Sequence, residues 1–161
     1  MKHLITMALL SALALFSSCN STLAPTGRGN VPPEIAGEWF AGSGGTSWMY
    51  DPGNGHFGAP NGSGVYMKLS NDGTFVYGVQ GHQSLYGCET YLQGFQTGFV
   101  VSTASTLEFH PTFGRKKFSD SCVAKNNTEG PDDLSVWTYM YQLTNDGLYV
   151  EGKGSGTLTR L

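Results

Sequence analysis

The sequence predicts an all-β chain, one antiparallel up-and-down β-barrel of about eight to ten strands, and three observations carry that prediction. Apolar residues beyond the N-terminal segment recur at every second position, as in Phe75, Tyr77 and Val79 or in Trp137, Tyr139, Tyr141 and Leu143. Such alternation marks half-buried strands rather than helices. Two similar stretches, Leu69-Ser70-Asn71-Asp72-Gly73-Thr74-Phe75-Val76 and Leu143-Thr144-Asn145-Asp146-Gly147-Leu148-Tyr149-Val150, each place an Asn-Asp-Gly turn between alternating runs. Asp-Gly supplies the positive φ angles of a tight hairpin. Finally, the 161 residues include 23 glycines and only 13% charged residues, against roughly 7% Gly and 25% charge in an average soluble domain. That composition excludes a helical bundle, a coiled coil and an acidic disordered chain. The length suits one domain.

The N-terminus reads as an address. Residues 1–18 have the layout of a secretory signal: Lys2 and His3, then an apolar run over residues 4–16 that is short for a membrane span. Leu15-Phe16-Ser17-Ser18-Cys19 resembles the bacterial lipobox, with Phe16 in place of the usual Leu. The resemblance implies cleavage after Ser18 and lipidation of Cys19, and several acyl chains anchor a protein stably. Asn20, rather than Asp, favours the outer membrane. The expected location is therefore the bacterial cell envelope, lipid-anchored and facing the periplasm, with the membrane as partner. An ordinary signal followed by a bystander thiol is the alternative.

Cysteine counting agrees with export. Removing Cys19 from the three cysteines leaves Cys88 and Cys122, an even pair for an oxidising compartment. A disulfide between them is expected, two buried free thiols being the alternative. Residues 19–33, with three prolines and no periodicity, read as a flexible tether. The folded unit is expected over residues 34–161.

Strands are predicted near 36–41, 64–70, 74–80, 84–93, 95–103, 106–110, 134–143, 147–151 and 156–160. Closure into a barrel is favoured because it leaves no exposed edges. Residues 51–64 and 113–131 lack the alternation and read as long loops, functional or disordered.

Gly37-Glu38-Trp39 at the first strand is similar to the Gly-x-Trp with which lipocalins open. Gly94, Val101, the stretch Leu107-Glu108-Phe109-His110-Pro111 and Gly114 resemble bacterial lipocalin-like lipoproteins, as do the paired Asn-Asp-Gly hairpins. The resemblance implies an up-and-down barrel with an apolar interior and names no ligand. It places Trp39 over the closed base of the barrel; a core aromatic on an edge strand is the other reading.

No constellation for chemistry emerges. Gly53-Asn54-Gly55-His56-Phe57-Gly58 fits G-x-G-x-x-G, yet Pro52 and Pro60 flank it where a strand and a helix are needed. The run from Gly147 to Lys153 misses a P-loop because Gly154 replaces Ser/Thr. His56, His82 and His110 lack metal-ligand spacing, and Glu38, Glu89, Glu108 and Glu151 lie on separate strands. No enzyme activity, cofactor or metal is expected, and a net charge of −3 gives no basic footprint for nucleic acid. Arg115-Lys116-Lys117 reads as a solvated cluster or a contact for anionic lipid heads.

The aromatic load is the positive signal. Phe75, Tyr77, Tyr91, Phe95, Phe99, Trp137, Tyr139 and Tyr141 either fill the barrel or line a cavity, since small barrels do one or the other. Trp48, Met49, Tyr50 and Phe57 border the Gly-rich loop and are expected at a mouth or lid. The candidate ligand-binding residues are thus Trp48, Tyr50, Phe57, Tyr77, Trp137 and Tyr139. The expected function is non-catalytic binding of a small apolar or amphipathic ligand. The alternative is an envelope interaction protein, such as a protease or lysozyme inhibitor, with a side-chain-filled barrel and either the N-terminal arm or the 51–64 loop as its contact. No protein partner follows from the sequence.

Overall fold

The structure, a computed structural model, describes residues 29–161. The signal segment and Cys19 lie outside the described residues. The strands are β1 (Gly37–Gly42), β2 (Tyr50–Asp51), β3 (His56–Phe57), β4 (Gly64–Leu69), β5 (Thr74–Leu85), β6 (Cys88–Ser102), β7 (Thr106–Asp120), β8 (Thr128–Pro131), β9 (Trp137–Thr144), β10 (Gly147–Glu151) and β11 (Ser155–Arg160). Eight of them close an antiparallel up-and-down barrel in the order β1-β4-β5-β6-β7-β9-β10-β11, with β11 pairing back onto β1. The fold class read from the alternation is therefore the observed one. Every barrel strand neighbours its predecessor, which is what short hairpin turns impose.

Strand boundaries differ most from expectation in two places, and the segment over 51–64, expected as loop, also carries part of the short β2–β3 pair. The segments predicted as 74–80, 84–93 and 95–103 are two long strands, β5 and β6, joined at Tyr86-Gly87. Both turn residues have positive φ, 52° and 80°, the condition for a two-residue turn whose twist matches the strands. Gly81 and Gly94, in the gaps between the expected strands, sit in paired extended backbone. The second difference lies in β7, predicted to stop at 110 with a loop over 113–131. It runs on to Asp120, and β8 pairs with it at Phe118↔Thr128 through Arg115↔Pro131. A β-bulge explains the misreading. Gly98 pairs with Pro111 but Thr97 pairs with Phe113, so Thr112 is extra. The extra residue moves the inward set from odd to even numbers, which erases the period of two across the strand. Pro111 is tolerated mid-strand because it lies at this bulge.

The base of the barrel is plugged by the chain that enters it. Val31, Ile35 and Trp39 are 2%, 1% and 2% exposed and pack with Met67, Leu69, Leu107, Leu148 and Leu158. Trp39 Nε1 donates to Ile35 O at 2.8 Å. The Arg160 guanidinium lies 4.4 Å from the Trp39 ring and donates to Ala36 O and Glu34 O, tying the last strand to the plug. Trp39 thus occupies the closed end, and its hydrogen-bonded indole satisfies the polar atom such burial demands. The packed unit also begins before residue 34. Ser102 Oγ donates to Asn30 O, so residues 29–33 lie on the barrel rather than forming part of a free tether.

At the opposite end β5, β6 and β7 outrun their neighbours. The last β4–β5 pair is Gly64↔Gln80 and the last β7–β9 pair is Phe109↔Trp137. Beyond these the three strands continue with β8 as an open four-stranded sheet, a paddle rising above the mouth. Its tip carries the Cys88–Cys122 disulfide, with an S–S distance of 2.06 Å. The pairing inferred from cysteine counting is the one formed.

Candidate functional site

The upper half of the barrel is hollow. Two adjoining chambers of about 160 and 250 Å³ share Tyr77, Val79, Tyr139 and Lys153. The larger has apolar walls from Ala41, Val65, Val150 and Leu158. The smaller reaches Gly94, Gln96, Asp132 and Trp137. Below them the barrel is filled. Phe109 stacks on Trp137 with centroids 3.9 Å apart, and Phe75 meets Phe109 edge-on at 4.9 Å. These rings separate the hollow mouth from the plugged base, so the barrel is neither wholly filled nor open throughout.

The polar groups at the mouth are few and mostly spoken for. Trp137 Nε1 donates to Gln96 Oε1 at 3.0 Å, while Gln96 Nε2 donates to Asp132 Oδ2 and to Asp133 O. One buried amide thereby orients the Trp137 ring and pins the β7–β9 connection beside the mouth. Lys153, on the β10–β11 hairpin, holds its ammonium 5.7 Å from the Trp137 centroid, within range of a cation–π attraction. Hydrogen bonds from the Ser135 side chain and backbone, then the charges of Lys153 and Lys116, hold the Asp133 carboxyl below its ordinary range. Burial, followed by the Tyr139 phenol, pushes the Tyr77 hydroxyl far up, so it stays neutral. The two phenol oxygens are 3.5 Å apart. The mouth therefore offers apolar and aromatic walls, the Tyr77 and Tyr139 hydroxyls, the Asp132 carboxylate and the Lys153 ammonium. Among the described residues no group of three or more His, Cys, Asp or Glu side chains comes together.

Of the six sequence-predicted ligand residues, the structure brings Tyr77, Trp137 and Tyr139 together at this chamber. Trp48, Tyr50 and Phe57 are elsewhere. The long β1–β4 connection folds down the outside of the barrel, over β5, β6 and β7, instead of forming a lid. Tyr50 contacts Phe57, Phe95 and Phe113 at 5.2, 5.3 and 5.9 Å, a second aromatic cluster on the outer wall. Trp48 is fully buried there, and with Met49 it occupies the space a Cβ at Gly78 would need. Gln93 Nε2 donates to Trp48 O and Gly58 O, and Gln80 Nε2 to Gly62 O, clamping the connection to the wall. Gln93↔Gln80 and Phe95↔Gly78 are cross-strand pairs facing outward. Neighbouring register positions thus supply both clamps and the gap they close. Sequence reasoning missed Gln96, Asp132 and Lys153. Gln96 carried a usable signal, a polar residue at the parity of the inward set in β6. Lys153 carried none beyond its Gly-Lys-Gly turn.

No family model, no curated protein and no solved structure matches the chain. Its class is defined by the fold: a closed eight-stranded up-and-down barrel, plugged at one end and hollow at the other, consistent with a lipocalin-like fold.

Proposed function

We propose that this chain is a cell-envelope lipoprotein whose lipocalin-like barrel binds a small apolar or amphipathic molecule without catalysis. The observation that carries the reading is the 250 Å³ apolar chamber beneath the mouth, closed below by aromatic packing. Small barrels with such a space hold one small ligand. The proposal includes lipidation at Cys19 and an outer-membrane location facing the periplasm. Residues 29–33 lie at the base, so a tether running back to Cys19 leaves from the end opposite the mouth.

Native mass spectrometry of the mature Cys19→Ser chain, purified from periplasm without detergent, tests ligand binding. An added mass that vanishes on denaturation, and is absent in Val150→Trp, supports the reading. A bare mass in both, with no uptake of a fluorescent apolar probe, overturns it. Lipidation has its own test: Cys19→Ala should abolish labelled palmitate incorporation and release the protein from membranes.

A second reading, an inhibitor of a protease or lysozyme, is favoured by a different feature. Tyr86 stands 96% exposed at the tip of the disulfide-tied β5–β6 hairpin. Under that reading Tyr86→Ala abolishes inhibition of the target enzyme and leaves probe uptake unchanged.

A further inference from the structure

Cross-strand register carries the inward face of the barrel continuously onto the paddle. The row Tyr77–Gln96–Gly114 lines the chamber, and the next outward row is Val79–Gly94–Lys116–Gly130. Above it on the same face come Gly81–Leu92–Phe118–Thr128, then Gln83–Thr90–Asp120, then Leu85–Cys88. At about 3.3 Å per residue, six residues from Val79 to Leu85 extend that face by roughly 20 Å beyond the chamber.

Three features make this face a groove rather than a bare sheet. Leu92 and Leu85 are 53% and 55% exposed, so apolar surface lies open beside the mouth. A Cβ at Gly81 or Gly130 would meet nothing within 4 Å, so the floor between the larger side chains is empty. A hollow of about 260 Å³ lies over that floor, against Gly81, Gln83, Leu92 and Phe118. The two adjoining barrel chambers, about 160 and 250 Å³, together lie near the lower end of the roughly 300–1,000 Å³ of ordinary ligand pockets. Beyond the row that carries Val79 and Lys116, apolar surface continues on Leu92 and Phe118.

We propose that chamber and paddle form a single site for a long single-chain amphiphile with an uncharged or zwitterionic, hydrogen-bonding head. The chain end fills the barrel, the middle of the chain lies on Leu92 and Phe118 over Gly81, and the head meets Gln83 and Thr90. Asp120 in the head row disfavours a purely anionic head. This inference rests on the ligand-binding reading above.

The test uses the mature Cys19→Ser chain and monoacylglycerols from octanoyl to oleoyl, each below its aggregation concentration, with Trp137 fluorescence as readout. Each added methylene that reaches apolar surface should tighten binding about threefold to fourfold. In the unaltered protein this gain should continue past the length that fills the chamber. In the Gly81→Gln/Leu92→Gln variant it should stop there, with octanoyl affinity unchanged. Both positions are exposed and extended, so the variant folds, which unaltered thermal melting checks. If octanoyl binds equally to both and longer chains gain nothing in either, the paddle is no part of the site and the inference fails. If no chain length binds the unaltered protein, the ligand-binding reading fails and the inference with it.

Discussion

The two ends of the barrel are built from the same alternating strands, yet one is solid and the other hollow. At the base, Val31, Ile35 and Trp39 enter from outside the meander and complete a close-packed layer, with Arg160 laid across the indole. At the mouth no segment among the described residues plays that part. The long connection that had the length to cap it lies on the outer wall, held by Gln80 and Gln93. Alternation decides which side chains point inward, whereas closure depends on a segment arriving from elsewhere. Solid packing resists change and open space permits a ligand.

Substitutions at the two ends should therefore differ most in stability. Trp39→Ala removes the plug and leaves Ile35 O unpartnered, so a loss of about 3–5 kcal/mol is expected in denaturant unfolding. Val79→Ala at the half-empty mouth should cost about 1 kcal/mol. Equal losses would erase the distinction. Next in size is the disulfide, whose cysteines are 34 residues apart. Replacing both by Ala should cost about 3–4 kcal/mol in the chain-entropy model. Hydrogen exchange should quicken in the paddle strands while amides around Trp39 stay protected. Smaller again is Gln93→Leu, which frees the carbonyls of Trp48 and Gly58. A loss of about 1–3 kcal/mol is expected, with Trp48 emission shifting to the red and probe uptake unchanged, because the outer wall is separate from the chamber.

The smallest effect is alkaline. Burial, with the Glu38 charge and hydrogen bond, pushes the Tyr66 hydroxyl up to about 12. Burial, and after it the neighbouring Tyr139 phenol, raises Tyr77, while burial, and after it the Glu34 charge, raises Tyr141. These phenols are protonated more firmly in the folded chain than in the unfolded one. The stability this adds is complete below pH about 10 and is lost as pH rises through the folded values. Tyrosinate absorbance should show three of the eight tyrosines ionising late. Tyr77 should lag most if the chamber floor is as dry as its packing makes it, and a bound ligand should delay it further.

Legibility followed the range of the interactions. The period of two in β9 and the positions of the Asn-Asp-Gly hairpins are local and match the structure, although only Gly73 and Gly147, and not Asp72 or Asp146, have the positive φ expected of Asp-Gly. The bulge at Thr112 was not legible, because an extra residue shows itself only against the strand opposite. Within the site, Tyr77, Trp137 and Tyr139 were legible because inward parity and aromatic character coincide on their strands. Trp48, Tyr50 and Phe57 have the same composition but lie on a connection without a period, so nothing local said which side of the wall they would take.

By itself, then, the sequence determined the barrel class, the alternation of strands such as β9, the two Asn-Asp-Gly hairpins and the partnership of Cys88 with Cys122. These rest on backbone preferences, side-chain alternation and thiol counting along one chain. Tertiary structure alone decided which end is plugged, where the long connection lies, and that β5, β6 and β7 outgrow the barrel into a paddle. Each of those depends on contacts between residues far apart in sequence, such as Arg160 with Trp39 or Gln93 with Trp48. Their free energy exists only once the barrel has closed.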